Sequence, residues 1–166
     1  MSKDFIRNNP GDYPVYSSQT ENDGILGMIN SYNYEGNYLS WTTDGAKAGT
    51  VFRRRGKFSI TNVCGLLKIR DENYIDFDYL FYILSSTTPK YVAKGMGNAK
   101  LMSNVMASIK IPIPPKAEQM RIATILNAFS SITEDMTKGL PAEIEARSKQ
   151  YVYYRDSLLT FEERVA

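Results

Sequence analysis

Histidine is absent from this chain, and Cys64 is the only cysteine among its 166 residues. Without histidine, imidazole acid–base catalysis and the usual zinc sites are excluded, and one cysteine cannot replace them. A single thiol also forbids an intramolecular disulfide, which fits a reducing compartment. The neighbours of Cys64 are apolar, so it reads as a core thiol and not a nucleophile. No uninterrupted apolar run approaches the roughly 20 residues that cross a bilayer. The opening stretch Met1-Ser2-Lys3-Asp4-Phe5-Ile6-Arg7 is too polar for a secretory signal. A soluble cytoplasmic protein with no membrane partner is expected.

Local signatures of catalysis are missing as well. No Asp or Glu stands two residues before any lysine, so the acidic-x-Lys arrangement of many metal-dependent nucleases does not occur. The only Gly-Lys pair, Gly56-Lys57, is followed by Phe58 where a phosphate-binding loop has Ser or Thr. Asn9-Pro10-Gly11-Asp12 lacks the second proline and the aromatic residue with which adenine methyltransferases hold a flipped base. No metal site and no cofactor of its own are expected for the chain, which reads as non-catalytic.

What is present is charge unevenly spread. The 20 basic and 18 acidic residues leave a formal charge of only +2. Residues 1–115 nevertheless hold 13 Lys and Arg against 10 Asp and Glu, while residues 116–166 hold 7 against 8. Between Lys47 and Arg70 lie Lys47, Arg53, Arg54, Arg55, Lys57, Lys68 and Arg70, with no acidic residue among them. Such a run can attract phosphates. It also suits a solvated hairpin face, and composition alone does not separate the two.

The first 70 residues read as β structure, because short runs rich in Tyr, Val, Ile and Thr are punctuated by Gly, Asn and Asp. Strands are predicted near residues 13–17, 25–29, 38–43, 50–54 and 62–69. Asn22-Asp23-Gly24, Asp44-Gly45 and Arg55-Gly56 supply turn residues that tolerate positive φ. Asp76 is placed to cap a helix whose Phe77, Leu80, Phe81 and Leu84 fall at i, i+3, i+4 and i+7 and so share one face. A shorter helical stretch includes Tyr91 and Val92, and Gly95-Met96-Gly97-Asn98 marks a loop before Lys100.

Pro112, Pro114 and Pro115 rule out a helix interior, so a helix begins only after them. From there the pattern is helical to the end. Ile122, Ile125, Phe129, Ile132 and Met136 step by threes and fours, the seam of a helix packed along a partner helix. Continuing through Leu140 and Ile144 inserts consecutive fours, a stutter, before the alternation returns at Arg147, Tyr151, Tyr154, Leu158 and Phe161. Gly139 and Pro141 sit at that slip, so a break is expected near 138–141. The later segment, about 21 residues, would be ~32 Å long as a helix, too long to bury its seam on one domain of this size.

The junction Ile111-Pro112-Ile113-Pro114-Pro115, followed by Glu118-Gln119 and Arg121-Ile122, resembles that of the specificity subunits of type I restriction-modification systems. The resemblance extends through Gly139-Leu140-Pro141-Ala142-Glu143-Ile144-Glu145-Ala146-Arg147, Gln150-Tyr151, Tyr153-Tyr154-Arg155 and Leu158-Leu159-Thr160-Phe161, which are similar to the family's conserved helical region. Upstream, Tyr13-Pro14-Val15-Tyr16, Gly45-Ala46-Lys47-Ala48-Gly49-Thr50-Val51 and Gly97-Asn98-Ala99-Lys100-Leu101 resemble its target recognition domain. Nearly the whole chain is covered. One departure is the amino end, where only 12 residues precede the Tyr13 segment and the family usually carries a further strand.

The resemblance implies an α+β fold: a globular target recognition domain over residues 1–115, with a twisted β-sheet and short helices, then long helices over 116–166 packed in a coiled-coil-like manner. It implies one half-subunit that reads half of a bipartite site in double-stranded DNA and recruits the methyltransferase subunit, with the restriction subunit joining through the complex. S-adenosylmethionine would sit on the methyltransferase partner. Since one recognition domain and one helical region are present, two identical chains would form a twofold dimer. Phosphate contacts are expected from Lys47, Arg53, Arg54, Arg55, Lys94 and Lys100, and base contacts from loop residues including Asn33, Asn98 and Ser103. Partner contacts are expected from Ile122, Ile125, Phe129, Ile132, Ile144, Tyr151, Tyr154 and Leu158. The rival reading is a truncated or silent cassette that acts only as a helical interaction protein. A general nucleic-acid binder is weaker, since the basic run lacks regularly interleaved aromatics.

Overall fold

The computed structural model of the chain describes residues 1–93, 98–131, 139, 143, 145, 149 and 150. Two compact units are resolved, Met1–Ala123 and Thr124–Ala166. The first is α+β and opens with α1 (Lys3–Asn8), a helix that no pattern in the sequence predicts. Ser2 caps it by accepting from the Phe5 N–H at 3.2 Å.

Five strands form one mixed sheet in the order β2-β1-β4-β3-β5. They are β1 (Tyr13–Tyr16), β2 (Ile25–Ile29), β3 (Tyr34–Thr42), β4 (Val51–Ile60) and β5 (Cys64–Leu67). The centre is the antiparallel β3–β4 pair, in register from Tyr34↔Phe58 to Trp41↔Val51. β5 adds antiparallel to β3, and β1 lies parallel to β4 and antiparallel to β2.

All five strands stand where runs of β-forming residues predict them, but β4 is about twice its expected length. Arg55-Gly56 is not a turn. Gly56, with φ +80°, lies inside β4 directly opposite Gly36, with φ +121°. Two residues without Cβ face each other there, so both can take positive φ while the ladder continues. The Asn22-Asp23-Gly24 turn does form, with all three residues at positive φ.

The pleat divides the sheet into two apolar layers. Leu39, Trp41 and Val51 point to one face, where Leu84 of α2 (Phe77–Thr87), Met106 of α3 (Ser103–Ser108) and Leu101, just before α3, cover them. As the spacing predicts, Asp76 caps α2 by accepting from the Tyr79 N–H at 2.9 Å, and Phe77, Leu80 and Phe81 pack against that core. A 3-10 turn, Thr88–Tyr91, follows α2. On the opposite face Tyr16, Phe58 and Cys64 form a second cluster, with Tyr34 and Tyr38 packed against it. Cys64 is buried there, and burial pushes its thiol pKa up, as suits a core residue.

After Pro115 the chain is helical over residues 116–131. Its first turns belong to the Met1–Ala123 unit, where Gln119 and Ala123 are buried. The expected break near 138–141 falls, apart from Gly139, outside the described residues. No helix among the described residues is long and apolar enough to cross a membrane.

Candidate nucleic-acid interface

The hairpin loop between β3 and β4 and the segment leading into α3 are joined by backbone hydrogen bonds. The Gly45 N–H donates to the Ala99 carbonyl at 3.0 Å, and the Leu101 N–H to the Thr43 carbonyl at 3.0 Å. Below them the Trp41 indole N–H donates to the Leu101 carbonyl at 3.0 Å, fixing the segment to the core. Lys100 forms backbone bridges with both Asp44 and Ala93. The loop's shape depends on Gly49, at φ +84°, where a Cβ would approach Val92 to 2.9 Å, and whose carbonyl accepts from the Thr88 hydroxyl. The loop is thus a fixed platform.

That platform brings together Lys47, Asn98 and Lys100, all exposed. Ser103, also exposed, begins α3 three residues beyond Lys100. Lys94 lies outside the described residues.

The arginines of β4 stand elsewhere. Arg53 and Arg55 share the face packed by α2, because alternate residues of a strand point the same way. Arg53 binds Asp78 at 2.8 Å and lies over the rings of Phe81, 3.9 Å away, and Tyr82. It helps fasten α2 to the sheet. Arg55 is 3.8 Å from the same carboxylate, with its side chain 64% exposed. Two guanidiniums therefore share Asp78, and Arg55 keeps a solvent-facing charge.

Arg54 is the clear correction. It points to the opposite face with Phe52 and Phe58, and its side chain is 0% exposed. Its Nε donates to the Ser40 hydroxyl at 2.9 Å, and Nη1 donates to both the carbonyl and the carboxylate of Asp23 at 2.8 Å. The guanidinium lies 3.6 Å from the Tyr16 ring centre and 4.4 Å from that of Phe52. Burial pulls its pKa down against the opposing attraction of Asp23, and burial likewise raises that of Tyr16. A side chain enclosed this way cannot reach a phosphate; it anchors the Asn22-Asp23-Gly24 turn to the sheet. The strand pattern itself carried the signal, since Arg54 has the parity of Phe52 and Phe58.

Asn33 stands at the far end of the β3–β4 ladder from Lys47. Seven ladder steps separate Tyr34↔Phe58 from Trp41↔Val51, roughly 24 Å at about 3.4 Å per residue. Its amide oxygen accepts from the Ser59 hydroxyl at 3.0 Å. The cation there is Lys57, part of the basic run but not among the expected phosphate contacts, and its ammonium lies 4.7 Å from the ring centre of Tyr32. The hydroxyl of Tyr32 holds the Lys57 pKa above its ordinary value. The tyrosines beside Lys57, Tyr32 of the β2–β3 loop and Tyr13 of β1, lie far from it in sequence, so no linear interleaving could reveal them.

Of the expected partner residues, Ile122 is half-buried, while Ile125 and Phe129 are 42% and 63% exposed. Ile132, Ile144, Tyr151, Tyr154 and Leu158 lie outside the described residues. No group of three or more metal-ligating side chains occurs among the described residues.

Residues 1–146 match the family described as the type I restriction modification DNA specificity domain. The chain belongs to this family. The specificity domain is 44% identical over 161 residues to the type I restriction enzyme MpnII specificity subunit of Mycoplasma pneumoniae, covering 97% of this chain and 48% of that protein. A putative type I specificity subunit of the same organism, described as an N-terminus, is 46% identical over 164 residues, covering 96% of this chain and 87% of the relative. Most of these relatives are longer: the chain spans about half the length of several it matches, 53% and 48% in two cases. The crystal structure of a type I restriction-modification S subunit from M. genitalium shares the fold, with a TM-score of 0.67 at 21% identity, over 90% of this chain and 39% of that one.

Proposed function

We propose that this specificity domain reads one half of a bipartite site in double-stranded DNA, and that the helical region after Pro115 pairs with a second identical chain and binds a methyltransferase subunit. The restriction subunit would join through that complex. The chain would supply sequence choice, while transfer of the methyl group, with S-adenosylmethionine, would belong to the partner. Membership of the specificity-domain family supports this reading.

The observation that carries it is the fixed platform of Lys47, Asn98 and Lys100. Two exposed cations and an exposed amide stand on segments joined by reciprocal backbone hydrogen bonds. Cations on such a frame can bind phosphates and set register, while an adjacent amide can present a donor and an acceptor to a base edge. Arg55 adds a further exposed positive charge along β4. Two copies related by a twofold axis would present two such platforms to an inverted repeat.

The direct test is competition between duplexes. The chain, in complex with its methyltransferase subunit, is expected to prefer a selected duplex over random duplex by about 10³-fold or more at fixed salt. Equal affinity for both would remove the reading in favour of a non-specific or interaction-only protein.

A further inference from the structure

Gln119 is the one amide in the helix over 116–131 that is completely buried, at 0% exposure. Its oxygen accepts from the Asp76 N–H at 2.8 Å, and its amide nitrogen donates to the carbonyls of Pro114 at 2.8 Å and Tyr74 at 3.1 Å. One side chain thus ties three backbone groups: the cap of α2, the loop before it, and the proline segment that leads into the helix. Two further bonds act at the same place. The Tyr79 hydroxyl donates to the Pro112 carbonyl at 2.8 Å, and the Lys116 ammonium donates to the Glu72 carbonyl at 2.7 Å. A helix whose only task was to start after a proline would need none of these.

We propose that Gln119 is a positioning residue that fixes the bearing of residues 116–123 on the recognition fold, and that it thereby sharpens the spacing between half-sites the protein accepts. The inference rests on the proposed reading of a bipartite site. A proline segment alone leaves the following helix free to swing about the chain. Each added base pair turns a half-site by roughly 35° and moves it by roughly 3.4 Å. A loose start to the helix would absorb such a change; a locked one would not. The amide is the suitable group, because its acceptor and two donors match one N–H and two carbonyls.

The test is selection of bound duplexes from a random library by the full chain with its methyltransferase subunit, comparing wild type, Gln119→Leu and the milder Tyr79→Phe. Hydrogen exchange at the Asp76 amide is followed in parallel, and its protection should fall about tenfold or more in Gln119→Leu. Wild type is expected to enrich one half-site at one spacing, with a loss of about tenfold for one base pair more or less. Gln119→Leu should enrich the same half-site with that loss cut to threefold or less, and Tyr79→Phe should lie between. If Gln119→Leu does not fold, a broadened spacing in Tyr79→Phe still supports the proposal. Unchanged spacing alongside lost Asp76 protection overturns it. If wild type enriches no half-site, the reading of function has failed, and the inference falls with it for that separate reason.

Discussion

Arg54 and Lys47 belong to one basic run in the sequence, yet one is buried and the other exposed. Arg54 is enclosed by Tyr16, Phe52, Ser40 and Asp23. Arg54→Ala should therefore destabilise the fold by about 3 kcal/mol, through lost packing and an unfilled core position. It should leave the salt slope of DNA binding unchanged for the protein that remains folded. Denaturant unfolding and binding at several salt concentrations check the two halves; a smaller slope at unchanged stability would return Arg54 to the surface. Lys47→Ala combined with Lys100→Ala should do the reverse. Stability should hold within about 0.5 kcal/mol, since both side chains are exposed. Binding to all duplexes should weaken and the salt slope should fall by roughly 2. An unchanged slope would take the platform out of the interface. Charge was legible in the sequence at this scale, but enclosure was not. Only strand parity, which puts Arg54 beside Phe52 and Phe58, could have separated it from its neighbours.

Elements were read best where one local rule governs them. α2 was legible because its cap and its apolar face both lie within a dozen residues, and the structure places Asp76 and Phe77, Leu80, Phe81 and Leu84 as those rules require. β4 was misread because a glycine at positive φ usually ends a strand; whether it does depends on Gly36, twenty residues earlier. α1 and α3, of six residues each, are too short to show a period. Gln119 falls on the stripe with Ile122, Ala123 and Leu126, the face on which a buried residue belongs, yet a polar residue there invites no search for partners. The Asp76 cap carries the element-scale prediction. Asp76→Ala should cost about 1 to 2 kcal/mol by removing the bond to the Tyr79 N–H and the contact with Lys116, 3.7 Å away. Thermal unfolding measures it, and no change in midpoint would show that α2 does not rely on its cap.

At the scale of the whole molecule, burial acts on three groups among the described residues that the fold holds neutral. Burial raises the pKa of the Cys64 thiol and of the Tyr16 and Tyr79 hydroxyls. Such groups lose their protons in the unfolded chain before they do so in the folded one, so the unfolded state binds fewer protons at alkaline pH. Their contribution to stability is fully present below the ordinary thiol value of 9.0 and is lost as pH climbs through the ordinary tyrosine value of 10.0 and beyond. Stability should fall steadily above about pH 9. Cys64→Ser with Tyr79→Phe should flatten the early part of that fall, and an unaltered profile would show that these groups are not what titrates. The sheet's membership was legible from composition and turns, but its order was not, because the parallel pairing of β1 with β4 joins segments about 45 residues apart.

Supply of sequence choice to a methyltransferase is the role proposed for the chain. The decisive measurement is a map of adenine methylation across the genome of cells that express the methyltransferase subunit with and without this chain. A new symmetric bipartite motif should appear only when the chain is present. A soluble complex of the two proteins that adds no motif would contradict it.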